Sequence, residues 1–167
     1  MMLVDYRESN AGPYRELLYI PGRVPFSGRR YHTITKIFVS TMDSVTGGRE
    51  NWGIPKELAD FAFEDDQGIC RAVVTVDGVR AAEFSLRSRG GRFPVTTRLL
   101  PISLVQKQHQ RYLHTAFFGR GLGRFVQVES FRADPDLFVP LEKQEILACI
   151  EVDPFRLVFP KARELKR

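Results

Sequence analysis

The sequence predicts a mainly β protein, α+β by some criteria, in which antiparallel strands are accompanied by one or two short helices. Short runs rich in Val, Ile, Phe and Thr recur along the chain, and several alternate apolar with polar residues. Asp77-Gly78 separates two of these runs, as is typical of a two-residue hairpin turn. Helical signals are confined to residues 55–61 and a weak turn at 134–138. With so few helices to cover a sheet, the strands must pack on one another or close on themselves, which predicts a sandwich or a barrel.

The predicted strands are distributed over the whole chain, at residues 15–20, 33–40, 69–76, 79–87, 97–106, 114–118, 125–131 and 145–159, the last interrupted near Pro154. Proline suits the first position of a helix, so Pro55 predicts a helix start there. Gly and Arg residues at 21–30 and 88–94 predict loops that are mobile or lie at an interface. At 167 residues we expect a single domain over residues 1–167.

The composition favours a cytoplasmic protein without a membrane partner. No run approaches the roughly 18 apolar residues of a membrane span, and the N-terminus lacks a basic head followed by a long apolar core. Cys70 and Cys149 are far apart and have no metal-ligand or redox spacing, so we expect two reduced core residues. The three histidines share no ligand spacing with one another or with the cysteines, and no metal site is predicted.

The net charge of +5 raises the question of nucleic acid. The basic residues are interrupted by acids and apolar strands, which favours a solvated surface over a nucleic acid site. Binding of single-stranded nucleic acid through Arg and exposed Tyr or Phe is the weakest of the alternatives left open. The glycine-rich residues 119–124 lack the spacing of a phosphate loop and are not followed by a helix, so a loop or bulge between strands is expected.

Lys56 is the residue that most directly suggests chemistry. In a helix that begins at Pro55, Lys56 lies in the first turn, where the positive end of the helix dipole disfavours an ammonium. Apolar neighbours would remove water from the amine; these are Trp52, Ile54, Leu58 and Phe61. Both effects favour a neutral amine, which attacks carbonyls. The alternative is a solvated lysine at a helix start, because lysine is among the least buried residue types.

Gly48-Arg49-Glu50, followed after a short gap by Pro55-Lys56-x-Leu58, resembles the acetoacetate decarboxylase family, whose Schiff-base lysine directly follows the proline. A second match lies in residues 12–16, where Glu16 falls at the active-site glutamate of the family. The resemblance covers most of the chain and is strongest between residues 5 and 61. It implies a closed or cone-like β-barrel whose interior forms the pocket, with Lys56 as nucleophile and Glu16 moving protons near the imine.

Other residues of the two matched segments receive supporting roles. Trp52 and Tyr14 are expected to bind substrate, and the loop that presents the lysine is expected to depend on Arg49, Glu50 and Pro55. Glu16 could instead be an outward polar residue of its strand, and Lys36 is the alternative nucleophile. Family members assemble as homo-oligomers and need no separate cofactor, so the resemblance implies a homo-oligomer that binds a small oxo-acid or carboxylate.

Two departures from the family pattern bear on the function. The family's decarboxylases have a second lysine after the nucleophile, where this chain has Glu57; a close, ionised carboxylate would raise the pKa of Lys56. Acetoacetate decarboxylase is a standard example of an enzyme whose lysine nucleophile is activated by desolvation or by a cationic neighbour. The resemblance also provides no residue of this chain for the role of the arginine that the family's N-terminal segment supplies to the active site. The resemblance implies a Schiff-base-forming lyase acting on a small β-keto or related oxo-acid, with two alternatives left open: aldolase or dehydratase chemistry through Lys56, or a barrel that binds a small carboxylate without turnover.

Overall fold

The computed structural model describes residues 1–99, 102–141 and 145–165, which contain fourteen strands and one helix. In chain order the elements are β1 Met2–Tyr6, β2 Tyr14–Tyr19, β3 Arg23–Phe26, β4 Arg29–His32, β5 Lys36–Val39, α1 Met42–Trp52, β6 Lys56–Leu58, β7 Asp60–Asp66, β8 Ile69–Val76, β9 Val79–Thr96, β10 Ser103–Gln108, β11 Arg111–Ala116, β12 Phe118–Ala133, β13 Ile150–Val158 and β14 Arg163–Leu165. The predicted mainly β class is confirmed.

The chain divides into two compact units. The first comprises residues 1–58, 97–119 and 157–167, and the second comprises residues 59–96 and 120–156. The first unit holds two sheets, with strand orders β1-β2-β5-β6 and β14-β11-β10-β4-β3. The second unit holds most of a third sheet, ordered β13-β12-β9-β8-β7. Most pairings are antiparallel, whereas β5 with β6 and β10 with β4 are parallel.

One face of the first sheet positions the residues of interest. Because strand side chains alternate between faces, the cross-strand register places three rows on the same face. These rows are Tyr6 beside Tyr14, then Val4 beside Glu16 and Val39, then Leu18 beside Ile37 and Lys56. Leu18, Ile37 and Val39 of these rows belong to a buried apolar cluster, whose other members are Ile34, Val45, Ile54 and Leu104.

Helix α1 contacts the first sheet through β5 and β6. Its N-cap Thr41 accepts a hydrogen bond from the Ser44 amide at 3.3 Å, which satisfies one of the free N–H groups of the first turn. Its C-cap Gly53 has φ of 63°, a left-handed conformation that favours glycine. The helix therefore begins and ends at strong local signals.

Two predictions about this region were wrong. Residues 55–61 are not helical, because Lys56–Leu58 forms β6 and pairs in parallel with β5. None of the three sheets closes into a barrel in the described part of the chain. The physical reason is the same in both cases. A helix that the periodicity did not reveal precedes Lys56 and packs against the first sheet, so that sheet has no need to close on itself to bury its apolar face.

Several local sequence predictions concern the third sheet and the turn that follows its strand β12. Asp77 and Gly78 both have positive φ and join β8 to β9 in an antiparallel hairpin, as predicted. The glycine-rich residues 119–124 were expected to form a loop or bulge between two strands. They lie within β12, where a register shift against β9 between Gly123 and Phe125 shows a bulge inside one strand. The predicted turn at 134–138 is confirmed by hydrogen bonds from the Leu137 and Phe138 amides to the Asp134 carbonyl.

Other sequence predictions need correction. The predicted loops at 21–30 and 88–94 are largely strand, since the first contains the β3–β4 hairpin and the second continues β9. Cys70 and Cys149 are only half-buried, so they are not the core residues expected. Among the described residues, no helix has both the length and the apolar character to cross a membrane.

Candidate active site

Lys56 lies at the start of β6, and its side chain is directed back along α1. The residue is 6% exposed. Its Nζ donates a hydrogen bond to Ser44 Oγ at 2.8 Å and lies 3.5 Å from Glu16 Oε2. The backbone is held by Arg49, whose Nε donates to the Lys56 carbonyl at 2.9 Å. The Lys56 backbone follows the C-terminal end of α1 in the chain. Its side chain extends back along the helix, so that the amine lies beside the first turn.

Glu16 is as buried as the lysine and belongs to the same face of the first sheet. Tyr6 donates a hydrogen bond from its hydroxyl to Glu16 Oε1 at 3.1 Å. The rings of Tyr6 and Tyr14 stack with centroids 4.7 Å apart, and the Tyr14 centroid is 5.0 Å from Lys56 Nζ. An amine, a carboxylate, two phenols and a serine hydroxyl thus form one polar cluster, in which Lys56, Glu16 and Ser44 are buried and Tyr6 and Tyr14 are half-buried.

Burial lowers the pKa of Lys56, because an ammonium loses its hydration there. The charge of Glu16 and its hydrogen bond act in the opposite sense but do not outweigh burial. The first turn of α1 is the positive end of a helix dipole, which disfavours an ammonium beside Ser44. The helix-dipole argument made from the sequence therefore applies to a different helix from the one predicted.

Both tyrosine hydroxyls keep their protons over a wide pH range. Burial raises the pKa of Tyr6, and the neighbouring charge of Glu16 raises it further. The same two causes, in the same order, raise the pKa of Tyr14. These phenols are thus neutral hydrogen-bond donors facing a carboxylate, an arrangement that can stabilise an oxyanion or hold a proton near a reacting carbonyl.

Glu57 is directed away from Lys56. Adjacent strand residues point to opposite faces, and Glu57 Oε1 accepts a hydrogen bond from Lys36 Nζ at 2.8 Å. Both side chains of that ion pair are partly exposed. Glu57 is therefore not placed to bind the Lys56 amine. Lys36 lies on the face of the sheet opposite the polar cluster.

The remaining sequence-predicted residues are divided between the cluster and its surroundings. Tyr14 lies in the cluster, whereas the Trp52 indole donates to the Pro160 carbonyl at 2.8 Å and meets the Phe159 ring edge to face. Arg49 supports the Lys56 backbone, Glu50 is exposed on α1, and Pro55 is exposed just before β6. Arg15 points away from Glu16 and pairs with Asp5 at 3.1 Å, as strand alternation predicted.

Sequence reasoning missed Ser44 and Tyr6. Tyr6 could have been found from the alternation in residues 2–6, had β1 been recognised as a partner of β2. Ser44 follows the N-cap Thr41 by three residues, a position that becomes informative only once the helix is recognised. No group of three or more His, Cys, Asp or Glu suited to a metal ion occurs among the described residues.

Comparisons with known proteins agree with this layout. The family model described as acetoacetate decarboxylase matches residues 1–101. No curated protein matches the chain. The crystal structure of acetoacetate decarboxylase from Legionella pneumophila subsp. pneumophila str. Philadelphia 1 is similar with a TM-score of 0.71 and 15% identity, over 93% of this chain and 68% of that one.

Two further solved structures share the fold. A second acetoacetate decarboxylase structure has a TM-score of 0.63 and 12% identity, over 92% of this chain and 69% of that one. The enduracididine biosynthesis enzyme MppR, complexed with pyruvate, has a TM-score of 0.55 and 16% identity, over 93% of this chain and 67% of that one. At such identities the likeness establishes the fold alone.

Proposed function

Because the chain belongs to the acetoacetate decarboxylase family, we propose that it is a Schiff-base-forming lyase that acts on a small β-keto or related oxo-acid through Lys56. The observation that carries the proposal is a buried amine with a lowered pKa beside a buried carboxylate. A lysine that is neutral near physiological pH is a nucleophile toward ketones, whereas an ammonium is not. The stacked phenols of Tyr6 and Tyr14 supply neutral donors next to both groups.

The proposed reaction begins when the Lys56 amine adds to the ketone carbonyl. Loss of water from the carbinolamine gives an iminium, whose nitrogen receives the electron pair released as the bond to carbon dioxide breaks. The resulting enamine takes a proton on carbon, and water then hydrolyses the new iminium to release the ketone and the free amine. Glu16 is proposed to carry the protons of these steps, because its carboxylate lies 3.5 Å from Nζ.

The same iminium supports aldol addition or dehydration. These reactions differ from decarboxylation in the bond that breaks and in where the proton is placed, and not in the nucleophile. The fold likeness to MppR, whose solved complex holds pyruvate, makes pyruvate a useful second probe. Binding of a small carboxylate without turnover is the alternative in which no iminium forms.

Borohydride trapping tests the proposal. Borohydride added with acetoacetate is expected to reduce the iminium to a stable secondary amine, and peptide mapping by mass spectrometry is expected to place the added mass on Lys56. Lys56→Arg and Lys36→Arg form a matched pair, because each keeps the positive charge and loses the primary amine. Only Lys56→Arg should abolish trapping.

The outcomes separate the candidate functions. Trapping accompanied by release of carbon dioxide from acetoacetate supports a decarboxylase. Trapping with pyruvate or acetoacetate but without gas release favours aldolase or dehydratase chemistry. Absence of an adduct with both oxo-acids, at a pH where the amine is neutral, would leave the binding-only alternative.

A further inference from the structure

Ser44 lies in the first turn of α1 and is 4% exposed. Its backbone N–H donates a hydrogen bond to Thr41 Oγ1 at 3.3 Å. The Ser44 hydroxyl oxygen accepts a hydrogen bond from Lys56 Nζ at 2.8 Å. A polar side chain of the helix is thus used to hold the lysine.

The Lys56 amine lies closer to the neutral hydroxyl of Ser44 than to the carboxylate of Glu16, which is the reverse of what charge alone would favour. Hydrogen bonds between an ammonium and a carboxylate are typically about 2.7–2.9 Å long and stronger than bonds to a neutral oxygen. Here the neutral Ser44 oxygen has the short contact and Glu16 Oε2 the long one, at 2.8 Å and 3.5 Å. The contact with Glu16 therefore falls short of a closed ion pair.

We propose that Ser44 is a positioning residue that competes with Glu16 for the N–H groups of Lys56 and so keeps the amine out of a closed ion pair. The consequence for reactivity rests on the proposed function, in which Lys56 is the nucleophile. An amine that donates to Ser44 and remains separate from Glu16 can be neutral, with its lone pair directed away from both acceptors. An amine drawn onto Glu16 would stay protonated and could not attack a carbonyl.

Among the groups around Lys56, Glu16 is the charged acceptor that would replace Ser44, whereas the Tyr14 hydroxyl, which interacts with both Ser44 and Glu16, is neutral. From β2 the amine faces Glu16 and the ring of Tyr14, and from β1 the hydroxyl of Tyr6 reaches the other oxygen of Glu16. From α1 the side chain of Arg49 binds the Lys56 carbonyl and not its amine. On β5, Lys36 is paired with Glu57. Without the Ser44 oxygen, the amine is expected to move toward the carboxylate.

The test follows the titration of the Lys56 amine by NMR in protein labelled with ¹³C at the lysine Cε, with Lys56→Arg used to assign the signal. In Ser44→Ala the titration midpoint is expected to rise, and the neutral fraction at pH 7 to fall about tenfold, because a closer opposite charge favours the ammonium. Ser44→Thr, which keeps a hydroxyl, should retain the midpoint of the unaltered protein. Thr46→Ala, which removes an exposed hydroxyl from the same helix, should also leave it unchanged.

A double variant separates competition from general disruption. Adding Glu16→Gln to Ser44→Ala removes the carboxylate, so the midpoint is expected to fall again. A midpoint that is unchanged or lower in Ser44→Ala, or that stays high in the double variant, would overturn the proposal. The titration uses no substrate, so its outcome is independent of borohydride trapping, and the two proposals can fail separately.

Discussion

Gly48→Ala is expected to lower the rate of borohydride-dependent adduct formation on Lys56 about hundredfold, since displacement of a reacting group by about 1 Å has effects of that order. The stem of Lys56 lies directly against Gly48, and a Cβ at this position would be 2.8 Å from Lys56 Cε. Such a separation is shorter than any normal carbon–carbon contact, so the lysine side chain must shift. Its amine would then lose the position beside Ser44. The measurement is the trapping rate with acetoacetate at fixed pH, followed by mass spectrometry.

Gly47→Ala is the matched control for this experiment. A Cβ at Gly47 would meet only Asn51 Nδ2, at an ordinary distance of 3.8 Å. Both substitutions replace a glycine inside α1 and gain about 1 kcal/mol of helix propensity, so a change in helix stability affects both alike. Similar trapping rates in the two variants would contradict the assigned path of the lysine side chain.

Much of the strand content of this chain could be predicted because it depends on local patterns, although short strands such as β1, β3 and β4 were missed. The hairpin at Asp77-Gly78 needs only two residues with positive φ between alternating runs. The helix was missed because Gly47 and Gly48 lower its propensity, and Val45 is its one buried large apolar residue. Its stability comes from the caps and from packing on the first sheet, and packing is not visible in a local pattern. The barrel prediction was wrong because it also depended on packing, namely on whether a helix covers the first sheet.

The site shows a similar division between local and long-range information. Lys56 and Glu16 were identified from short motifs, and the lowered pKa of Lys56 was attributed to apolar neighbours and to a helix starting at Pro55. Burial is confirmed as the cause that lowers this pKa, whereas the helix end beside the amine is the first turn of α1, which reaches Lys56 through a tertiary contact. Strand alternation was sufficient to place Glu16 and Arg15 on opposite faces of the sheet, and it does the same for Lys56 and Glu57. Ser44 required the position of α1 relative to β6, which the sequence pattern does not contain.

Lys56→Met is expected to remove a pH dependence of stability that the unaltered protein has below about pH 10. The folded-state pKa of Lys56 is lowered from its ordinary value of 10.5 because burial disfavours the ammonium. Between those two pKa values the unfolded chain binds a proton that the folded chain does not, so the free energy of unfolding rises with pH. The limiting slope from one such group is about 1.4 kcal/mol per pH unit. Below the folded-state pKa both states are protonated, and Lys56 contributes no slope.

Urea unfolding at several pH values between about 7 and 9.5 measures this difference between the two proteins. The pH range ends at about 9.5 because the folded-state pKa values of Tyr6 and Tyr14 are raised. Above about pH 10 these tyrosines lose their protons in the unfolded state but keep them in the folded state, so the free energy of unfolding falls with pH. Lys36→Met is the control, because that amine is partly exposed in its pair with Glu57. Parallel curves for the unaltered protein and Lys56→Met would mean that the buried amine titrates like an ordinary lysine, and the proposed nucleophile would then be an ammonium at neutral pH.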